Sequence, residues 1–429
     1  EKFAKENRFG FFPSAGFGWI ISNEDFFETN LPSVNLFKLR YTYGLVGNDG
    51  ISGPEDRFFY LSEVNLNNGG TGYNWGINYN NYYNGYNINR YDNESVTWEV
   101  AEKANYGLEI GLFNKVTILA EYFEEHRKNI YMERQYIPET MGLTTSINSN
   151  IGEVKAKGID ISLDYNHAFS GDFYITARGN FTYSTNEILV NGEPEYQNQN
   201  LSRIGQPINQ QWGYIAERLF IDEEDIANSP EQFNGFGSTN TYLPGDIKYK
   251  DVNEDGVINQ LDQAPIGKPY VPEIVYGFGF SAVYKSLDFS IFMQGAARTS
   301  FLIEPDKVSP FVNERNALNI IANNYWSDNN PDPNAFWPRL SVSPVENNEK
   351  PSTWWLRDGD FLRLKSIEVG YTFPETETGF FSNLNARIYC TGLNLLNFAK
   401  FDLWDPEMAG NGLGYPPQRV LNLGVQLKF

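Results

Sequence analysis

The chain has 429 residues, of which 41% are hydrophobic, and no run approaches the roughly 18 consecutive apolar residues of a membrane-spanning helix. A helical membrane protein is therefore excluded. The formal net charge of -21 argues against nucleic acid or an anionic lipid surface as a partner, because both need clustered Lys and Arg. With one cysteine, Cys390, and two distant histidines, His126 and His167, the chain cannot form an internal disulfide and offers no spacing for a zinc site or a His-based triad.

Taken in chain order, the dominant pattern is an apolar side chain at every second residue, which predicts β-strands. These rows are separated by polar stretches rich in turn-forming residues, and only 223–228 is predicted as a short acidic turn of helix. The rows are Phe37, Leu39, Tyr41, Tyr43; Tyr106, Leu108, Ile110, Leu112; Val116, Ile118, Ala120, Tyr122; Ile159, Ile161, Leu163, Tyr165; Phe173, Ile175, Ala177, Gly179, Phe181, Tyr183; Tyr276, Phe278, Phe280, Ala282, Tyr284; Leu287, Phe289, Ile291, Met293; and Ile367, Val369, Tyr371, Phe373.

Connections between these strands are of two kinds. Segments 106–112 and 116–122, and likewise 276–284 and 287–293, are separated by only a few residues, which predicts tight antiparallel hairpins. Segments 46–95, 185–272 and 294–362 are long excursions. Short turns on one side and long loops on the other are typical of single-chain outer-membrane barrels.

The last segment supports the same interpretation. Leu423, Val425, Leu427 and Phe429 alternate with polar residues and glycine over about ten residues, the length of a barrel strand that crosses a membrane. An amphipathic strand of a soluble sheet would have the same pattern. The 16% of aromatic residues fits the two aromatic girdles of a barrel, and it would also fit a carbohydrate-binding surface.

Several motifs, in order, resemble the SusC/RagA-type TonB-linked (TonB-dependent) outer-membrane transporters, and the resemblance runs essentially from end to end. The motifs are FPSAGFGW at 12–19, FKLRYTYGLVGN at 37–48, NIGEVKAKG at 150–158, PGDIKYKDVNEDG at 244–256, GLNLL at 392–396, and 415–429. Each motif is weak by itself, whereas their order and spacing together are specific.

The resemblance implies an all-β fold, a transmembrane antiparallel barrel of 22 strands with long extracellular loops and a plugged lumen. Residues 1–429 correspond to the C-terminal part of that barrel, and nothing in them resembles the N-terminal plug domain or the segment that TonB grips. At roughly 30 residues per strand and connection, the chain supplies about 12 to 14 strands. We therefore expect a piece of a longer protein, or a chain completed by another one.

One loop has calcium-binding spacing. Side-chain oxygens fall at loop positions 1, 3, 5, 9 and 12, a glycine at position 6 permits the sharp turn, and position 7 supplies a backbone carbonyl. The alternative is an acidic turn held by side-chain-to-backbone hydrogen bonds, because position 12 lacks the usual Glu and no flanking helices are predicted. The proposed structural Ca²⁺ ligands are Asp251, Asn253, Asp255, Val257, Asn259 and Asp262.

Aromatic residues in the long loops are candidates for substrate binding, since such rings stack on sugars, although they could instead pack loops together. The candidates are Tyr73, Trp75, Tyr82, Trp326 and Trp354.

The resemblance implies a transporter and not an enzyme: TonB-dependent import of an oligosaccharide or peptide across the outer membrane, together with a SusD-like surface lipoprotein. TonB would act through the missing N-terminal region. Two alternatives stay open, namely a related barrel that is an accessory subunit of another outer-membrane complex, and a soluble all-β carbohydrate-binding or glycan-cleaving protein. The soluble protein would bury the apolar rows in a core, whereas a barrel exposes them to lipid.

Overall fold

The computed structural model describes residues 2–51, 57–233, 242–374 and 385–428. Strands dominate these residues. They are β1 Ser14–Ile20, β2 Val34–Asn48, β3 Glu63–Trp75, β4 Asn81–Arg90, β5 Glu99–Leu112, β6 Val116–Glu133, β7 Asn148–Ser170, β8 Phe173–Val190, β9 Gln211–Gly213, β10 Ala216–Leu219, β11 Glu231–Gln232, β12 Ile247–Tyr249, β13 Val257–Ile258, β14 Ala264–Ile266, β15 Ile274–Tyr284, β16 Leu287–Ala297, β17 Ser300–Leu302, β18 Leu356–Asp358, β19 Phe361–Thr372, β20 Asn385–Ala399 and β21 Val420–Lys428.

Helices are few and short. The α-helices are α1 Asp25–Asn30, α2 Glu223–Ala227, α3 Pro305–Val308 and α4 Asn319–Asn323; single 3₁₀ turns lie at Lys5–Asn7, Ile21–Asn23, Glu139–Met141, Gln199–Leu201, Gln260–Asp262, Val312–Glu314, Glu346–Glu349 and Pro406–Met408. The predicted acidic helical turn is confirmed as α2, which Asp222 caps by accepting a hydrogen bond from the backbone N–H of Asp225. Within the described ranges, no helix is long and apolar enough to span a membrane.

Eleven strands form one antiparallel sheet, in the order β1-β2-β5-β6-β7-β8-β15-β16-β19-β20-β21. Every neighbouring pair is antiparallel, and the described part of the sheet is open, with β1 at one edge and β21 at the other. The count is slightly below the expected 12 to 14 strands, because the described residues of 191–273 and 298–360 form loops with only short strands of their own. The predicted all-β, antiparallel fold is confirmed.

Strand register places the predicted apolar rows side by side. One row of paired residues crosses ten strands, because neighbouring strands pair so that their apolar residues lie on the same face of the sheet. It runs Trp19, Leu39, Leu108, Ala120, Ile161, Phe181, Tyr276, Gly295, Leu362 and Phe398. The sheet therefore has one continuous apolar face and one polar face.

Within the part of the chain that the structure describes, no second sheet covers the apolar face. Phe280 is 44% exposed and Leu423 is 80% exposed, although a sandwich core would bury both side chains. The predicted last strand is confirmed as β21, and its final residue, Phe429, lies outside the described residues. The structure thus has the exposed apolar rows that distinguish a barrel wall from a soluble sandwich.

Short and long connections lie at opposite ends of the strands, as predicted. The short ones include 113–115, 171–172 and 285–286, and the long ones are 49–98, 134–147, 191–273, 298–360 and 400–419. In the hairpin between β5 and β6, Leu112 pairs with Val116 while Asn114 has φ 55°, a left-handed conformation that Asn tolerates. Within the first long connection, β3 and β4 form a separate hairpin.

Candidate functional site

The polar face of the sheet carries paired charges. Lys38 on β2 lies 3.0 Å from Glu109 on β5, and Arg178 on β8 lies 3.0 Å from Asp164 on β7. Farther along, Arg387 on β20 contacts Glu368 at 2.6 Å and also contacts Asp288. Opposite charges on neighbouring strands stabilise each other across the sheet. This face is therefore suited to contact with water or with polar protein groups, and not with lipid.

Three long connections fold together around one hydrophobic cluster, here called the loop core. Large aromatic and aliphatic side chains from 191–273, 298–360 and 400–419 share it, which makes these loops a compact structure and not separate excursions. Its buried members are Tyr214, Leu219, Ile247, Tyr249, Ile258, Phe301, Ile303, Val308, Ile321, Trp326, Ala335, Trp337, Trp355 and Phe401.

Buried amides join two of these connections. Gln232 Nε2 donates to Asn347 Oδ1 at 2.8 Å and to the Ile247 carbonyl at 3.0 Å. Asn348 Oδ1 accepts from the Ile247 backbone N–H at 2.9 Å, and Asn348 Nδ2 donates to Asp246 Oδ1 at 2.7 Å. Because these polar groups satisfy one another in the interior, the network fixes the two connections in one arrangement.

Two loop carboxyls have opposite pKa shifts. Burial raises the pKa of Asp246, which is 0% exposed, while the nearby Arg339 guanidinium, 2.8 Å away, opposes that shift. Hydrogen bonds from Arg218, at 2.6 and 2.9 Å, hold the pKa of Asp225 well below its usual range, and Lys248 contributes at 3.2 Å. Asp225 therefore stays ionised and ties β10, α2 and β12 together.

Arg363 forms a buried ion pair behind the polar face. Its side chain is 3% exposed, and Nη2 lies 2.5 Å from Asp405 Oδ1 and 3.0 Å from Glu407 Oε2. The connection 400–419 is thereby held against β19. Arg363 is therefore a structural residue whose charge is already paired, and it is not available to bind a ligand.

The predicted calcium ligands lie together in one tight loop. Asp251 Oδ1 and Oδ2 accept hydrogen bonds from the N–H groups of Glu254 and Gly256, at 2.7 and 2.8 Å. Asp262 Oδ1 accepts from the N–H of Val252, and its Oδ2 accepts from the N–H of Asn259, both at 2.8 Å. These are the side-chain-to-backbone hydrogen bonds that an acidic turn without bound calcium would have.

The remaining predicted ligands are also engaged locally. Asp255 Oδ1 accepts from the Val257 N–H at 2.9 Å, Asn253 Nδ2 donates to Asp255 Oδ2 at 2.9 Å, and Asn259 Oδ1 accepts from the Leu261 N–H at 2.8 Å. Among the described residues, no group of three or more His, Cys, Asp or Glu side chains is placed to hold a metal ion. Each carboxylate oxygen that accepts one N–H still has a lone pair, so calcium binding here stays a prediction.

The five predicted substrate-binding aromatics are not brought together. Tyr73, Trp75 and Tyr82 lie on the β3–β4 hairpin and are 63%, 59% and 50% exposed. The Tyr73 and Trp75 rings are 5.7 Å apart, edge to face. Trp326, in contrast, is 6% exposed in the loop core, and Trp354 is half-buried against it.

Trp326 is therefore a core residue and not an exposed ring. Its indole packs over Gly245, where an added Cβ would lie 2.2 Å from the ring and where φ is +85°. The sequence pattern around Trp326 is aperiodic, so it gave no sign of which loop tryptophans face inward.

Sequence reasoning missed an open groove on the side of the long connections, here called the rim groove. It has a volume of about 560 Å³, and residues from 59–95 and 131–149 line it. The only sequence signal was the cluster of small polar residues at 144–150, interrupted by Ile147, which is also typical of an ordinary loop.

Four curated relatives match over the whole chain, and no family model matches it. The TonB-dependent receptor P26 of Formosa agariphila is 26% identical over 453 residues, and the alignment covers 100% of this chain but 43% of that protein. The TonB-dependent receptor SusC of Bacteroides thetaiotaomicron is 26% identical over 446 residues, covering 100% of this chain and 41% of SusC. The chain thus spans about two fifths of the length of these relatives.

Solved structures show the same fold. The RagAB peptide importer in its open-open state matches with a TM-score of 0.72 at 21% identity, covering 100% of this chain and 44% of that chain. A second structure, of the RagAB peptide transporter, matches with a TM-score of 0.70 at 22% identity and the same coverage. These matches confirm the resemblance to SusC/RagA-type TonB-dependent receptors.

Proposed function

We propose that this chain is the C-terminal barrel portion of a SusC/RagA-type TonB-dependent receptor, and that the whole protein imports an oligosaccharide or peptide across the outer membrane. The observation that carries the proposal is the eleven-strand antiparallel sheet with one exposed apolar face and one ion-paired polar face. An apolar face turned to lipid and a polar face turned to the lumen is how such barrels are built.

The sheet edges support a larger assembly. An unpaired backbone group in hydrocarbon costs several kcal/mol, so the edges at β1 and β21 need partner strands inside a membrane. Eleven strands are half of the 22 that the resemblance implies. Further strands and the plug domain, which TonB would engage, would come from the rest of the protein.

The names of the relatives support import as the activity. SusC and P26 are named TonB-dependent receptors, and the RagAB structures are of a peptide importer. A SusD-like lipoprotein would sit over the long connections, whose rigid loop core offers a preformed platform for it. The exposed hairpin rings of Tyr73, Trp75 and Tyr82 would contact the cargo, and calcium bound by 251–262 would stiffen that loop.

Deleting the full-length gene and complementing it tests the proposal. The deletion strain should lose growth on the cargo polymer or peptide while growing normally on its free monomers, and loss of TonB should give the same phenotype. Growth that is unchanged on every glycan and peptide, or recovery of the full-length protein in the soluble fraction, would contradict it. Co-purification from membranes should recover a surface lipoprotein.

A further inference from the structure

The rim groove lies between two neighbouring connections. One wall comes from the end of 49–98, and the other comes from the end of β6, the 134–147 connection and the start of β7. A second cavity of about 380 Å³ is also lined by Glu133, Arg134 and residues 145–147. The rim groove alone is an open cleft of the size that holds a small ligand or a segment of a longer one.

Hydrogen bonds brace the two walls at three successive levels. The Thr144 N–H donates to the Tyr91 hydroxyl at 3.1 Å, and Asn93 Nδ2 donates to the Asn148 carbonyl at 3.1 Å. Asn150 Oδ1 accepts from the Thr97 N–H at 3.0 Å, while its Nδ2 donates to the Thr97 carbonyl at 2.9 Å. Such cross-links keep the cleft open without a ligand, so little ordering entropy would be lost on binding.

Aromatic rings form one surface of the rim groove. Phe59 and Tyr131 lie 5.4 Å apart, edge to face, and the Arg90 guanidinium is 4.6 Å from the Phe59 ring centre. Arg90 also lies 3.4 Å from Glu63, so its positive charge is already matched. The aromatic surface therefore presents no unbalanced cation to a ligand.

Five of the polar side chains that line the groove lack partners of their own. Among the described residues, Asp92, Glu133, Arg134, Ser146 and Ser149 line the groove without a side-chain hydrogen bond or ion pair. They offer hydroxyl, carboxylate and guanidinium groups to a ligand that both donates and accepts hydrogen bonds.

Charge argues against an acidic ligand. The three lining acids, Glu63, Asp92 and Glu133, outnumber the two lining bases, Arg90 and Arg134, and the whole chain has a formal charge of -21. A cleft of this sign repels uronate or sulfate groups. A neutral sugar meets no such penalty, and it combines an apolar C–H face for the rings with hydroxyls for the polar wall.

We infer that the rim groove binds a segment of an uncharged oligosaccharide. The inference rests on the proposed import function and specifies the cargo class. Phe59 and Tyr131 pack against a sugar face, and the unpaired side chains on the wall bond its hydroxyls. The net negative charge of the lining disfavours acidic glycans as occupants of this groove, and the binding test below compares peptides directly.

Binding to the purified full-length receptor tests the inference. The probes are a broad array of neutral plant, fungal, algal and bacterial glycans, a matched set of uronate-containing and sulfated glycans, and a peptide library. Neutral glycans should bind, and Phe59→Ala should weaken binding roughly tenfold or more. Ser146→Trp, which fills the groove from an exposed position, should abolish it, whereas Ser343→Trp, an exposed serine on another connection, should leave it unchanged.

Three results would overturn the inference: no neutral glycan binds, a peptide or acidic glycan binds the groove more tightly, or neither groove variant changes glycan affinity. Circular dichroism of the variants controls for folding. TonB-dependent uptake measured in parallel separates the two proposals, because uptake that survives both groove variants would leave import intact and remove only the assignment of this groove.

Discussion

Replacing Phe280 with Arg should destabilise the folded barrel by about 2–4 kcal/mol, the cost of Arg on a lipid-facing strand at the middle of the bilayer. Phe280 lies on the apolar face of β15, four residues from both Tyr276 and Tyr284. At about 3.4 Å per residue, Phe280 is roughly 14 Å along the strand from each tyrosine. If the two tyrosines belong to the aromatic girdles that flank an apolar band about 25 Å tall, Phe280 lies midway across that band.

The measurement is reversible unfolding of the full-length protein in lipid vesicles, followed by the shift in gel mobility between folded and unfolded barrels. Ser281→Arg is the matched control, because Ser281 is the next residue on the same strand and points to the polar face, where an open groove of about 250 Å³ has room for the side chain. It should stay within about 0.5 kcal/mol of wild type. Phe280→Leu keeps the apolar contact with lipid and should cost little.

A Phe280→Arg variant as stable as wild type would contradict a lipid-facing position for this side chain. In a soluble protein this side chain is already 44% exposed to water, and a surface substitution to Arg would change stability by no more than about 0.5 kcal/mol.

Three further predictions concern the loops. Asp225→Asn should lower the free energy of unfolding by about 1–2 kcal/mol at neutral pH. Because Arg218 lowers the pKa of Asp225 in the folded state, the difference from wild type should shrink as the pH falls below the ordinary carboxyl pKa of 3.8. Urea melts at a series of pH values measure the loss of stability and its pH dependence. Trp326→Ala should lower the free energy of unfolding by about 3–5 kcal/mol in the same melts, because it opens a cavity in the loop core. Tyr73→Ala should lower it by less than about 0.5 kcal/mol, and an equally small loss for Trp326→Ala would contradict the burial of Trp326. Millimolar calcium should protect 251–262 from proteolysis in wild type and not in Asp251→Ala; identical digestion patterns with and without calcium would identify an acidic turn instead.

Strand periodicity made the wall of this structure predictable. The alternation from Phe173 to Tyr183 predicted a strand, and it also predicted which side chains share the exposed face, because strand geometry has a strict period of two. The hairpin between β15 and β16 followed from the short gap at Lys285. Local spacing also found α2, since a run of acids behind an Asp cap is a local signal.

The loops were less predictable because their contacts are distant in sequence. Gln232 bonds Asn347 across 115 residues, and nothing near either residue indicates the pairing. The same holds for Trp326, whose burial depends on three connections meeting at the loop core. The spacing at 251–262 left a calcium loop and an acidic turn open, because spacing alone does not say whether the side-chain oxygens face a cation or the backbone.

The β3–β4 hairpin is attached differently from the rest of the long connections. Its two strands pair with each other, in a sheet separate from the barrel wall, and its members are absent from the loop core. A new sequence grafted between Glu63 and Arg90 therefore leaves the interior of the neighbouring loops untouched, whereas exchanging 298–360 would remove half of a shared interior. The hairpin can therefore change in sequence without repacking the loop core, and an engineer can place a tag or a foreign recognition sequence there.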